Sequence, residues 1–147
     1  MIEVRSIFCD DVRIEVNGKS ILIGVYPGVL FASAGDVVKL SNWIEARGLE
    51  RGKHTATISA FFDNGHEEIS VADVAVDFTV ADERFPAIFT PTDLHFVPDG
   101  PGTLAVRLSF DGSADLDAGK IPVIIPEPED DELVNDESAF PDSVDFD

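Results

Sequence analysis

Adjacent aspartates at positions 10 and 11 could hold a hard cation through oxygens, given a third carboxylate such as Asp36 or Asp63. The loop spacing of a calcium-binding helix pair is missing, so solvated turn acids are the simpler reading and no metal site is expected. The histidines, His54, His66 and His95, are far apart and none has the short paired spacing of zinc ligands. Nucleophilic catalysis would need a Ser or Cys beside a His and an orienting acid. Cys9 could meet one of these histidines only by an accident of folding, and a small buried core residue is its plainer role. The glycine-rich stretch Asp99-Gly100-Pro101-Gly102 lacks the lysine of a phosphate loop and reads as a turn. No catalytic residue and no cofactor is expected.

Arg47, Arg51, Lys53 and His54 follow Trp43, and basic groups beside an exposed aromatic can bind single-stranded nucleic acid. Trp43 in the core is the competing reading. The 147-residue chain carries a net charge of −19. Ten of its acidic residues fall between Glu127 and Asp147, where there is no basic one; nineteen acidic and ten basic residues precede them. Phosphates would repel such a chain, which makes nucleic acid and anionic membrane poor partners and favours a basic one.

These residues need elements to position them, and the pattern is that of strands. Ile2–Cys9, Val12–Val16 and Ser20–Tyr26 are apolar runs, the last two joined by Asn17-Gly18, which predicts a type I′ hairpin turn. Val29–Ala32 is extended. Val37–Leu49 alternates as a strand, with a helix capped by Asp36 as the alternative. His54–Phe62 alternates cleanly. Glu67–Val80 changes parity near Ala72-Asp73, which predicts a bulge or break. Ala81–Pro91 reads as irregular, crossing between sheets. Asp93–Val97, Thr103–Phe110 and Lys120–Ile125 complete the series, with Asp111-Gly112 as a turn.

Eight to ten short strands with turns every 8–12 residues predict an all-β fold, an antiparallel β-sandwich of immunoglobulin-like kind, over residues 1–125. A five-stranded oligonucleotide-binding barrel is the alternative. Eleven phenylalanines against one Trp and one Tyr suit the inside of a sandwich. The single cysteine rules out an internal disulfide. Residues 126–147 read as a disordered acidic tail. Leu133, Val134, Phe140, Val144 and Phe146 are spaced among its acids, and such alternation marks interaction segments, so these five are the expected partner contacts. Neither a signal peptide nor an apolar run long enough for a membrane helix is visible, which points to a cytoplasmic or virion protein.

Phe8-Cys9-Asp10-Asp11-Val12-Arg13, Gly18-Lys19 and Ile23-Gly24-Val25-Tyr26 resemble the opening of a family of small bacterial and phage-encoded proteins of uncharacterised function. The resemblance covers about the first thirty residues. It implies a β-rich domain and a phage setting, and supplies no catalytic residue. The basic residues near Trp43, with an acidic, Phe-containing C-terminus, also resemble the organisation of phage single-stranded-DNA-binding proteins. A third possibility is an acidic mimic of nucleic acid. The reading that best fits strand rhythm without catalytic residues is a non-enzymatic structural or protein-interaction module. Its partner is a protein or a second copy.

Overall fold

The computed structural model describes residues 1–127. Ten strands form two facing five-stranded sheets: β1 Glu3–Ile14, β2 Ser20–Val25, β3 Leu30–Phe31, β4 Val38–Arg47, β5 Gly52–Asp63, β6 Glu68–Val80, β7 Ala87–Phe89, β8 Leu94–Phe96, β9 Gly102–Phe110 and β10 Leu116–Ile124. The front sheet runs β2-β1-β4-β7, with β8 also on β4; the back sheet runs β3-β10-β9-β5-β6. With β4, β5, β9 and β10 in the B, C, F and G places, β1 takes A, β6 takes C′ and the β7–β8 line takes E, an immunoglobulin-like order. The pairing is antiparallel except where β3 runs parallel to β10 through Val123–Leu30 and Ile124–Phe31.

Period-two alternation builds the core. Ala56, Ile58, Ala60 and Phe62 of β5 face inward with Leu104, Val106, Leu108 and Phe110 of β9, and all eight are buried. Opposite them lie Leu40, Ile44 and Ala46 of β4, also buried. The rings of Phe62 and Phe96 meet at 5.0 Å, and those of Phe78 and Phe89 at 5.1 Å edge-on. Phenylalanine carries no polar atom into this space, which accounts for its abundance.

Several sequence expectations change in detail, among them the last strand, which begins at Leu116 rather than Lys120. Val37–Leu49 is a strand, ending at Arg47. Ile2–Cys9 and Val12–Val16 are not two strands but one, β1. The Asn17-Gly18 turn is not type I′. Gly18 has φ of 87° but Asn17 does not share a positive φ, and Gly18 N–H donates to Glu15 C=O at 2.9 Å. This is a three-residue loop with glycine at its left-handed position. Both residues of Asp111-Gly112 do have positive φ, 53° and 77°. The bulge in β6 lies at Val71, unpaired where Ala60 faces Ala72 and Phe61 faces Ser70. Finally, Ala81–Pro91 contains β7, flanked by the prolines that hid it.

β1 serves two partners in succession. Its residues up to Cys9 pair with β4, and those from Cys9 onward pair with β2. Trp43 faces Ile7, whereas Ser20 faces Ile14, seven positions further along β1. In a flat sheet those sites would be roughly 23 Å apart. Trp43 Nε1–H nevertheless donates to Ser20 Oγ at 3.2 Å. The hairpin of β1 and β2 therefore folds back over the outward side of β4. Gly24 makes the bend possible. It adopts φ of 69°, and a Cβ there would run into the Asp10 carboxylate. Cys9 and Val12 are buried outside the main core, under this hairpin.

Candidate functional site

The polar residues with chemical potential are dispersed and tied into the framework. Asp10 Oδ1 accepts from Tyr26 O–H at 2.7 Å, and Asp11 Oδ2 accepts from Arg13 Nε at 2.7 Å. Burial, then the bond to Asp10, pushes the Tyr26 phenol up to about 12. Among the described residues no three His, Cys, Asp or Glu side chains gather as metal ligands, and Asp36 and Asp63 stand apart from the Asp10-Asp11 pair.

The basic residues do not assemble with Trp43 into one patch. Arg47 lies on the front sheet, and its Nε donates to Glu45 at 3.2 Å. Arg5 Nε donates to the same carboxylate at 2.8 Å. The bond from Arg5, reinforced by Arg47, holds Glu45 below the usual carboxylate range. Lys53 and His54 belong to β5 in the back sheet. Trp43 is half-buried beneath the hairpin.

His54 is a clamp. Its Nδ1 lies 2.7 Å from Asp111 Oδ2, its Nε2 lies 2.6 Å from Glu50 C=O, and its ring stacks 5.6 Å from Phe78. Both ring nitrogens face acceptors, so the imidazolium satisfies both, and its pKa is raised, chiefly by the bond to Asp111. A group whose folded pKa is raised stabilises fully below its unfolded value, near 6.5, and loses that contribution as pH rises through the folded value. Thermal melts of the parent and His54→Ala from pH 5.5 to 9 are expected to differ most at the acid end and to converge toward the alkaline end. A gap independent of pH would contradict the clamp.

What the sandwich does present is a groove. Its volume is about 530 Å³, and it opens where the sheets part, between β6 and the β7–β8 line. Ile58, Ala60 and Val106 form the floor, and all three are buried. Ala72, Val74 and Val76 of β6 line one wall, facing Ile58 and its neighbours in register. Phe89, Pro91 and Leu94 line the other. That second wall is a broken strand. β7 pairs with β4 at Ile44–Ala46 and β8 pairs at Val38–Leu40, while Asn42 N–H donates to Pro91 C=O at 3.0 Å across the gap. Pro91 has no N–H to extend the ladder, so strand pairing along this edge is interrupted between β7 and β8.

Val74 points inward yet is 46% exposed. Among the described residues β6 pairs with β5 alone, and its other edge offers main-chain donors and acceptors that no described strand pairs, along thirteen residues. An apolar slot beside an open strand edge is the geometry for adding an extended segment, with alternate side chains entering the slot. Val74 and Val76 alternate in the sequence as one face of a strand. That alternation carries no sign that the strand is an edge.

Leu133, Val134, Phe140, Val144 and Phe146 lie outside the described residues. No helix among the described residues is long and apolar enough to cross a membrane. No protein-family model matches the chain, and a search of curated proteins finds no match to it.

Proposed function

We propose that this protein is a non-enzymatic interaction module that takes up an extended segment of a partner protein in the groove along β6. The apolar slot beside an unpaired strand edge carries the reading. The employment of Asp10, Glu45, His54 and Asp111 in structural bonds supports the non-enzymatic part. Leu133, Val134, Phe140, Val144 and Phe146, in the acidic C-terminal segment, make a second contact with the same partner. The charge of −19 steers a basic one toward both. The resemblance of the opening residues supports a phage setting, as an accessory or virion-associated protein.

The test uses three baits on a lysate of the source cells: the full chain, a chain ending at Ile125, and the full chain with Val74→Lys. The described fold is complete at Ile124, and Val74 is half-exposed, so all three should fold. Both unsubstituted baits should hold a common protein, less of it on the shortened chain, and Val74→Lys should lose at least nine-tenths of the capture. Equal capture by Val74→Lys would move the site off the groove.

A further inference from the structure

We propose that the groove selects segments of the pattern basic–apolar–any–apolar–basic. This rests on the docking reading above and names the class of segment it admits. The stretch of β6 along the groove is Asp73-Val74-Ala75-Val76-Asp77. Val74 and Val76 face the slot, so Asp73, Ala75 and Asp77 face outward. A strand laid against this edge would drop two alternate side chains beside Val74 and Val76. Its intervening side chains would stand beside Asp73, Ala75 and Asp77.

Among the described residues neither aspartate is in an ion pair, although Lys53 lines the same hollow as Asp77. The neighbours of the two aspartates on β5 are Ser59, opposite Asp73, and Thr55, opposite Asp77. Thr55 Oγ1 donates to Asp77 at 2.8 Å and brings no charge. The next residue in the Asp73 row is Arg107 of β9, opposite Ser59. It is turned to Glu68 at 2.9 Å and lies over the Phe61 ring. Two carboxylates four residues apart, about 13 Å along the strand, thus await cations from the side where the new strand arrives. The pentad reads the same in both directions, so parallel and antiparallel segments both satisfy it.

The same charges disfavour the other occupants. A second copy centred on Ala75 would set Asp73 against Asp77 twice, and like charges directly opposite are destabilising. The acidic C-terminal segment, without a basic residue from Glu127 onward, meets the same repulsion.

The experiment titrates three peptides, SGKVAVKGS, SGEVAVEGS and the parity-inverted SGVKAKVGS, into isotope-labelled full chain, followed by NMR. SGKVAVKGS should shift the amides of residues 72–77 and bind on the order of tenfold more tightly than either other peptide, from two opposite-charge cross-strand pairs. The preference over SGEVAVEGS should shrink with salt and vanish in Asp73→Asn/Asp77→Asn, whose exposed substitutions leave the melting temperature unchanged, while that over SGVKAKVGS should persist in part. Equal affinities, or shifts confined to other residues, overturn the proposal. No peptide binding, alongside Val74-dependent capture of a protein, overturns this segment class and leaves the docking reading standing. A concentration-dependent dimer in sedimentation, abolished by Val74→Lys, gives the groove to a second copy and also overturns it.

Discussion

Phe62→Ala is expected to destabilise the protein by about 3–5 kcal/mol, the range for emptying a well-packed aromatic site. Phe62 is 1% exposed and occupies the middle strand of the back sheet's β9-β5-β6 run. Its ring meets Phe96 from the front sheet at 5.0 Å, so the side chain bridges both layers. β5 is held on both sides, by β6 and β9, and cannot collapse into the void. The residual cavity adds to the lost transfer free energy. Urea denaturation should show the loss as a lower midpoint with an unchanged slope. Phe85→Ala, at a residue 66% exposed, should stay within about 0.5 kcal/mol. A loss below 1 kcal/mol at Phe62 would mean that the two sheets do not meet there.

Gly102→Ala is expected to cost about 1–3 kcal/mol, by overpacking. A Cβ at Gly102 would press on the Asp63 carbonyl oxygen and stand 2.8 Å from Phe62 Cζ. The carbonyl cannot swing away, because Asp63 is paired with both Glu68 and Thr103. The Phe62 ring can yield only into space already filled by Phe96. The two substitutions should therefore couple. In Phe62→Ala/Gly102→Ala the alanine methyl has room on its ring side, and the combined loss should fall short of the sum of the two. Strict additivity, measured in the same urea series, would break the link between these residues.

The fold was legible where burial imposes a period. His54–Phe62 and Thr103–Phe110 have one face in the core, so each apolar residue signals its own orientation. The hairpin turns were legible as turns and less so as types. Asn17-Gly18 has the residues for a two-residue loop, but where the ladder ends decides loop length, and here the last bond closes Glu15 on Lys19, leaving three residues between them. β7 was hidden because three residues between two prolines carry no period. The groove was less visible still. Val74 and Val76 look like core residues because they alternate like core residues. That the opposing layer breaks at Pro91 is a relation between distant segments, which local pattern does not encode. The basic residues around Trp43 mislead for a related reason. Nearness in sequence places Arg47 and His54 within a few residues of one another, but the loop after β4 carries the chain across to the opposite sheet.

The folded-back hairpin makes this protein report on itself. Trp43 is the only tryptophan, and it lies where the hairpin returns to β4, donating to Ser20. The main core is built from phenylalanine and aliphatic side chains. Intrinsic fluorescence excited at the indole band therefore watches one seam. Lifting of the hairpin admits water to the indole and shifts emission to longer wavelength while the sandwich is intact. Circular dichroism follows the sheets themselves. Two optical transitions that fail to coincide would identify the hairpin as a separately opening unit, and coincident ones would make it part of the cooperative whole.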